Sequence, residues 1–295
     1  MSERLHKVLA QHGLGSRREI EKWMLAGRVL LNSRPAQPGD RYAPGDRVSI
    51  DGKDVTARLK VVSAPRALIY HKPQGQPISH EGAPTSERKS VMESLPARRG
   101  SRWVMVNTMH AGDSGLLLLT SDGRLADALR RRAESIPAVY MVRVLLPFPE
   151  FNVESLPTSV VYDEETIEFE AVELVGQRGA ESGAEGANRW FRVEARRAHR
   201  RAAVRALFES RGLKVSRVIQ VEFAGLSLPR DLPRGRSRAV TEQQVAELYA
   251  LAELPAPPTA REVHEQGAAR RKGAGGARRR SAPARRPTGN RRPGR

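Results

Sequence analysis

Apolar residues recur at helical spacing at Leu5, Val8 and Leu9, stop at Gly13-Leu14-Gly15, and resume at Ile20, Trp23, Met24 and Leu25. This period predicts two helices, with Ser16 placed to cap the second and Gly27 placed to end it. The short runs Arg28 to Leu31 and Arg47 to Ile50 follow, bounded by Asn32-Ser33-Arg34, Pro44-Gly45-Asp46 and Asp51-Gly52. Short apolar runs between such turn residues predict a small hairpin.

Beyond Pro65 the spacing changes from helical to strand-like. Ala67 to His71, the Leu116 to Leu119 run, Val139 to Leu146, Ser159 to Tyr162, Arg189 to Val193 and Lys214 to Phe223 read as strands, and Ile167 to Leu174 alternates as one wet-faced strand. Helices are predicted from Leu125, over Arg200 to Arg211, and over Thr241 to Ala252, where Thr241 caps. Mixed strands with few intervening helices predict an α+β fold on a mixed, mainly antiparallel sheet. The organisation expected is a small helical and hairpin domain over 1–58, a larger domain over 66–253, and a tail over 254–295.

Charge adds a partner class. The 295 residues carry 51 Lys and Arg against 33 Asp and Glu, a net +18, and eleven of the positive charges lie between Gln266 and Arg295 with no acid among them. The first 265 residues therefore carry +7. An excess of this kind points to polyanions, nucleic acid above all. The tail, rich in Pro, Ala, Gly and Arg, cannot bury enough surface to offset its ordering entropy and is expected to be disordered, its Arg clusters suited to nonspecific RNA contact. No Cys is present, which removes disulfides and thiolate zinc sites. With no run near 18 apolar residues and no apolar leader, a cytoplasmic protein without membrane association is expected.

Two stretches resemble known families. Leu5-His6-Lys7-Val8-Leu9-Ala10, Ser16-Arg17-Arg18-Glu19 and Ala26-Gly27-Arg28-Val29 resemble the S-four-type RNA-binding domain. Ile69-Tyr70-His71-Lys72-Pro73 with Gly75, Ser94-Leu95-Pro96, and above all Ser114-Gly115-Leu116-Leu117-Leu118-Leu119-Thr120-Ser121-Asp122-Gly123 resemble the bacterial ribosomal pseudouridine synthases. The resemblance implies an isomerase fold that acts in ribosomal RNA processing, with no cofactor and no metal. RNA, ribosomal RNA first, is the implied partner of a monomer. Phosphate contacts are expected from Arg4, Lys7, Arg17, Arg18, Lys22, Arg28 and Lys72.

The catalytic motif departs from the family pattern. The Gly-Arg-Leu-Asp tetrad that precedes the Leu-rich strand in the family falls on Asn107, Thr108, Met109 and His110, so an imidazole stands at the position of the reactive carboxylate. Such a carboxylate attacks the anomeric carbon or removes a neighbouring sugar proton, and it steadies positive charge on the ribose. The His110 imidazole offers no anion. Asp113 is the possible substitute, but on an extended segment it would lie on the opposite face, roughly 10 Å away; a turn at Ala111-Gly112 would change that. Asp122 reads as structural. Tyr140 matches the family tyrosine that stacks in the pocket, and His199 to Ala206 replaces the family's Gly-Arg-Asn-Arg-Gln-Val-Arg-Arg. The reading expected is an RNA-binding family member whose activity is lost or severely reduced. The alternative is an active synthase using Asp113.

Overall fold

Ser16 sets the start of the second helix through a complete capping box: its hydroxyl accepts from Glu19 N, and the Glu19 carboxylate accepts from Ser16 N at 2.6 Å. The helices Leu5–Gln11 and Arg17–Leu25 pack on a small sheet built from Val29–Leu31 and Val48–Ile50. Leu5, Leu9, Ile20, Met24 and Val29 form its closed core. Two-residue turns at Asn32-Ser33 and Asp51-Gly52 take positive φ and reverse the chain, as a tight hairpin requires. The protein is known here from a computed structural model that describes residues 2–59, 64–79, 89–97, 101–146, 156–175, 188–196, 201–263 and 265. The Gly, Ala and Glu-rich loop expected from Gly176 to Gly186 and the basic tail from Gln266 to Arg295 lie outside those residues.

The main sheet runs in the order Ala171–Val175, Asn188–Ala195, Ala138–Leu145, Lys214–Phe223, Ser114–Thr120, Ala67–Lys72, Ser237–Ala239. Along this path Lys214–Phe223 and Ser114–Thr120 pair in parallel, and the other neighbours are antiparallel. One face carries Tyr140, Val142, Phe191 and Val193 against Val204 and Phe208 of the helix Arg201–Glu209, with the Phe191 and Phe208 rings 5.2 Å apart. Each such fully buried side chain contributes roughly 1.5–3 kcal/mol. Leu68, Tyr70, Leu117 and Leu119 fill a separate core with Val91 and Met109. Asp122 caps the helix Gly123–Arg131 and also accepts from the Tyr249 hydroxyl at 2.7 Å, which joins that helix to Glu242–Leu251.

One expected strand is two. Between Glu165–Glu168 and Ala171–Val175 the chain changes partners: Phe169 N donates to Thr158 O, and Glu170 N to Glu194 O. The first segment pairs with Ser159–Tyr162 and the second joins the main sheet, so the even alternation concealed a break.

The small module abuts the large one. Gly13 has φ +70°, and a Cβ there would lie 2.9 Å from the Ser101 carbonyl carbon. The described residues up to Pro257, apart from Ala64, form one unit, and in the second the Thr259 hydroxyl accepts from Glu262 N at 3.2 Å. Among the described residues no helix is long and apolar enough to cross a membrane.

Candidate active site and RNA-binding cleft

Lys72 ends its strand fully buried. A buried ammonium needs acceptors, and it finds three carbonyl oxygens: Pro73 at 3.2 Å, Ala111 at 3.0 Å and Asp113 at 2.8 Å. Burial brings its pKa down to about 8, which the Asp113 carboxylate opposes and the Arg201 guanidinium reinforces. Gly75 N holds the Ala111 carbonyl from the other side at 2.8 Å. Residues 110–113 are thereby folded into a turn, in which Asp113 N donates to His110 O and Asp113 Oδ2 accepts from His110 N at 2.7 Å.

This turn overturns the extended geometry expected for Asp113. Its Oδ1 lies 3.4 Å from Arg201 Nη1, and both side chains are mostly shielded from water. Arg201, the first residue of its helix, also donates to Ser114 O and Gln220 Oε1, each at 3.2 Å. Its guanidinium carbon sits 5.7 Å from the centre of the Tyr140 ring. Tyr140 is 0 % exposed, and burial pushes its hydroxyl up to about 12, with Arg201 pulling down and Asp113 pushing up. Its ring is therefore covered by Arg201 rather than open as a stacking platform.

Asn107 supports this group. It donates to Leu116 O and Gln220 Oε1 and accepts from Leu118 N, which ties the loop to two strands. Gln220 Nε2 is buried with no partner among the described residues. Gly115 allows the close approach: its φ is +113°, and a Cβ would fall 2.2 Å from Gln220 O. Asn107 and Met109 are buried, and Thr108 and His110 are exposed.

The expected phosphate contacts divide. Lys7, Arg17, Arg18 and Lys22 line one cleft of about 740 Å³ together with Arg102 and Arg130 of the larger module. Arg17 and Arg18 have no carboxylate partner among the described residues, and Lys22 and Arg102 make no close ion pair there but lie near enough to Glu19 to help hold its pKa low. Two acids share the cleft: Glu19 is taken up by its cap, which holds its pKa low, and Asp127 pairs with Arg131. Arg4 lines a neighbouring hollow with Arg41 and Tyr42. Two expectations fail. Lys72 cannot meet a phosphate because it is buried on carbonyls, and Arg28 is bidentate to Asp51 at 2.7 Å while lying over the Trp23 ring. Sequence reasoning missed Arg102, Arg130, Arg201 and Gln220. The run Arg130-Arg131-Arg132 was a visible signal; Arg102 and Gln220 gave none.

Family comparisons match these two modules. A model of the S4 domain matches residues 3–48, and a model of RNA pseudouridylate synthase matches residues 66–208. Ribosomal large subunit pseudouridine synthase B of Shigella flexneri is 37% identical over 268 residues, which covers 89% of this chain and 88% of that protein. The chain belongs to the RNA pseudouridine synthase family. The protein of the same description from Xanthomonas campestris is 37% identical over 255 residues, covering 85% of this chain and 50% of its own length, so this synthase-family chain spans about half of that relative. A crystal structure of a pseudouridylate synthase superposes with a TM-score of 0.50 at 17% identity, over 83% of this chain and 99% of that one, and shares the fold. The fold class and the two resemblances read from sequence hold.

Proposed function

We propose that this protein isomerises uridine to pseudouridine in ribosomal RNA, with Asp113 supplying the reactive carboxylate. The observation that carries this reading is the Asp113 to Arg201 pair beside buried Tyr140. The relatives' description as large-subunit enzymes supports RNA of that subunit as the substrate.

The reaction requires the bond between uracil N1 and ribose C1′ to break, the base to turn, and a bond from C5 to C1′ to form. The C5 proton leaves and N1 gains one, so nothing else is consumed. A carboxylate serves this by attacking C1′ or by taking the C2′ proton, and it stabilises the positive charge that builds on the ring. Asp113 would do so from its turn, oriented through Oδ2 by the His110 amide and through Oδ1 by Arg201. The uridine must leave its stack to reach such a site. Arg201 would turn toward the incoming phosphate, releasing Asp113 and uncovering the Tyr140 ring. The cleft at Arg17 and Arg102 would hold the flanking RNA.

A second reading has its own observation: Asp113 has both oxygens engaged, and Thr108 and His110 stand where the family has Arg and Asp. Under it, the protein binds ribosomal RNA without turnover. Tritium release from RNA labelled at uridine C5, with the purified full chain and large-subunit RNA, separates the two. Release at a defined nucleotide supports the isomerase. Tight binding without release overturns it in favour of the second reading.

A further inference from the structure

The sheet's reverse face holds what the reaction does not use. Burial alternates along Ala138–Leu145, Asn188–Ala195 and Lys214–Phe223, so Tyr140 and Val142 enter the core while Met141 and Arg143 turn the other way. Register then brings Arg143 directly opposite both Trp190 and Arg217, and Met141 opposite Ile219. Trp190 thus stands beside Arg143, with Arg217 in the same row one strand further on. Arg143 and Arg217 have no carboxylate partner among the described residues. Two like charges in directly facing positions destabilise a sheet. An anion between them would reverse that term.

Next to this pair lies a groove of about 380 Å³ whose apolar wall is Trp190, Met141, Ile219 and Val221. Arg230 and Arg234, both exposed and unpaired among the described residues, stand at its rim. The loop that carries them is anchored, since His71 Nδ1 is 2.8 Å from Leu232 O, Gly235 N donates to His71 O, and Arg238 pairs with Asp231. An aromatic and apolar floor rimmed by unpaired guanidinium groups on an anchored loop suits a ligand that alternates flat rings with phosphates. An acidic protein surface would use the charges but leave the indole without a ring to meet.

We propose that this face is a second RNA site, on which an unpaired nucleotide stacks its base on Trp190 while its flanking phosphates meet Arg143, Arg217, Arg230 and Arg234. The inference rests on the reading that the ligand is RNA, and it assigns a single-stranded segment away from Asp113. The site uses the face of the sheet opposite Tyr140, so one RNA can occupy it while its target uridine sits at the turn.

The test uses the full chain and a labelled single-stranded oligouridine, with a fully paired duplex of equal length as control. Trp190→Leu should weaken oligouridine binding about tenfold, and Trp190→Phe, which keeps a ring, should weaken it less. Arg143→Gln with Arg217→Gln should weaken it and flatten the salt dependence by about one to two phosphate contacts. Duplex binding should change less than oligouridine binding in all three. Unchanged oligouridine affinity in Trp190→Leu and in the double Arg variant, with circular dichroism like wild type, overturns the proposal. The two readings fail separately: wild-type chain that binds oligouridine through Trp190 but releases no tritium from uridine C5 overturns the proposed chemistry and leaves this site intact.

Discussion

Asp113 and Arg201, 88 positions apart in the chain, meet at 3.4 Å because a buried lysine folds one of them back toward the other. With buried Tyr140 beside Arg201, this gathers a carboxylate, a guanidinium and a phenol at one turn.

Arg201→Met should lower the rate of uridine isomerisation by about 10²-fold, on the scale of losing one aligned cationic donor. It also leaves Ser114 O and Gln220 Oε1 short of a donor. Single-turnover kinetics at saturating RNA separate this from weakened binding. A rate within twofold of wild type would show that Arg201 is packing alone.

Lys72 gives a pH signature. Its folded pKa is about 8, below the ordinary lysine value of 10.5, so burial disfavours the charged form. Between these values the unfolded chain holds a proton that the folded chain has released, and stability therefore rises with pH. Below pH 8 the cost is present in full. Urea denaturation from pH 8 to 9.5, where any tyrosine ionisation is common to both chains, should show wild type gaining stability relative to Lys72→Met. Parallel profiles would contradict the burial.

Gly115→Ala should destabilise the fold by roughly 3 kcal/mol or more, since it combines a strained φ with a Cβ driven into Gln220 O. Thermal melting measures this. A loss under about 1 kcal/mol would mean that the parallel pairing yields easily.

Arg17→Gln and Arg102→Gln should each weaken RNA binding and lower the slope of log affinity against log salt by about one contact, with equal effects from the two modules. An effect from Arg17 alone would confine binding to the small module.

Much of the fold was legible because strand and helix periods carry it. Ser159–Tyr162 and Lys214–Phe223 match their sequence limits, and the Ser16 and Thr241 caps stand where expected. The site was less legible for a physical reason. Whether Asp113 faces Arg201 depends on Lys72 gripping the Ala111 and Asp113 carbonyls from about 40 positions away, and no local pattern encodes that grip. Alternation also failed at Phe169 and Glu170, where apolar spacing continues through a change of partner strand. Asn107 looked like the loss of a family glycine, yet its amide ties two strands together.

The central claim is that Asp113 performs the carboxylate's chemistry. The most direct measurement is C5 tritium release from large-subunit RNA by Asp113→Asn, run beside wild type and His110→Ala at matched RNA occupancy. The account predicts a fall of about 10³-fold or more for Asp113→Asn, RNA affinity within about twofold, and little change for His110→Ala, whose side chain is exposed. Wild-type release by Asp113→Asn, or its loss in His110→Ala alone, would contradict it.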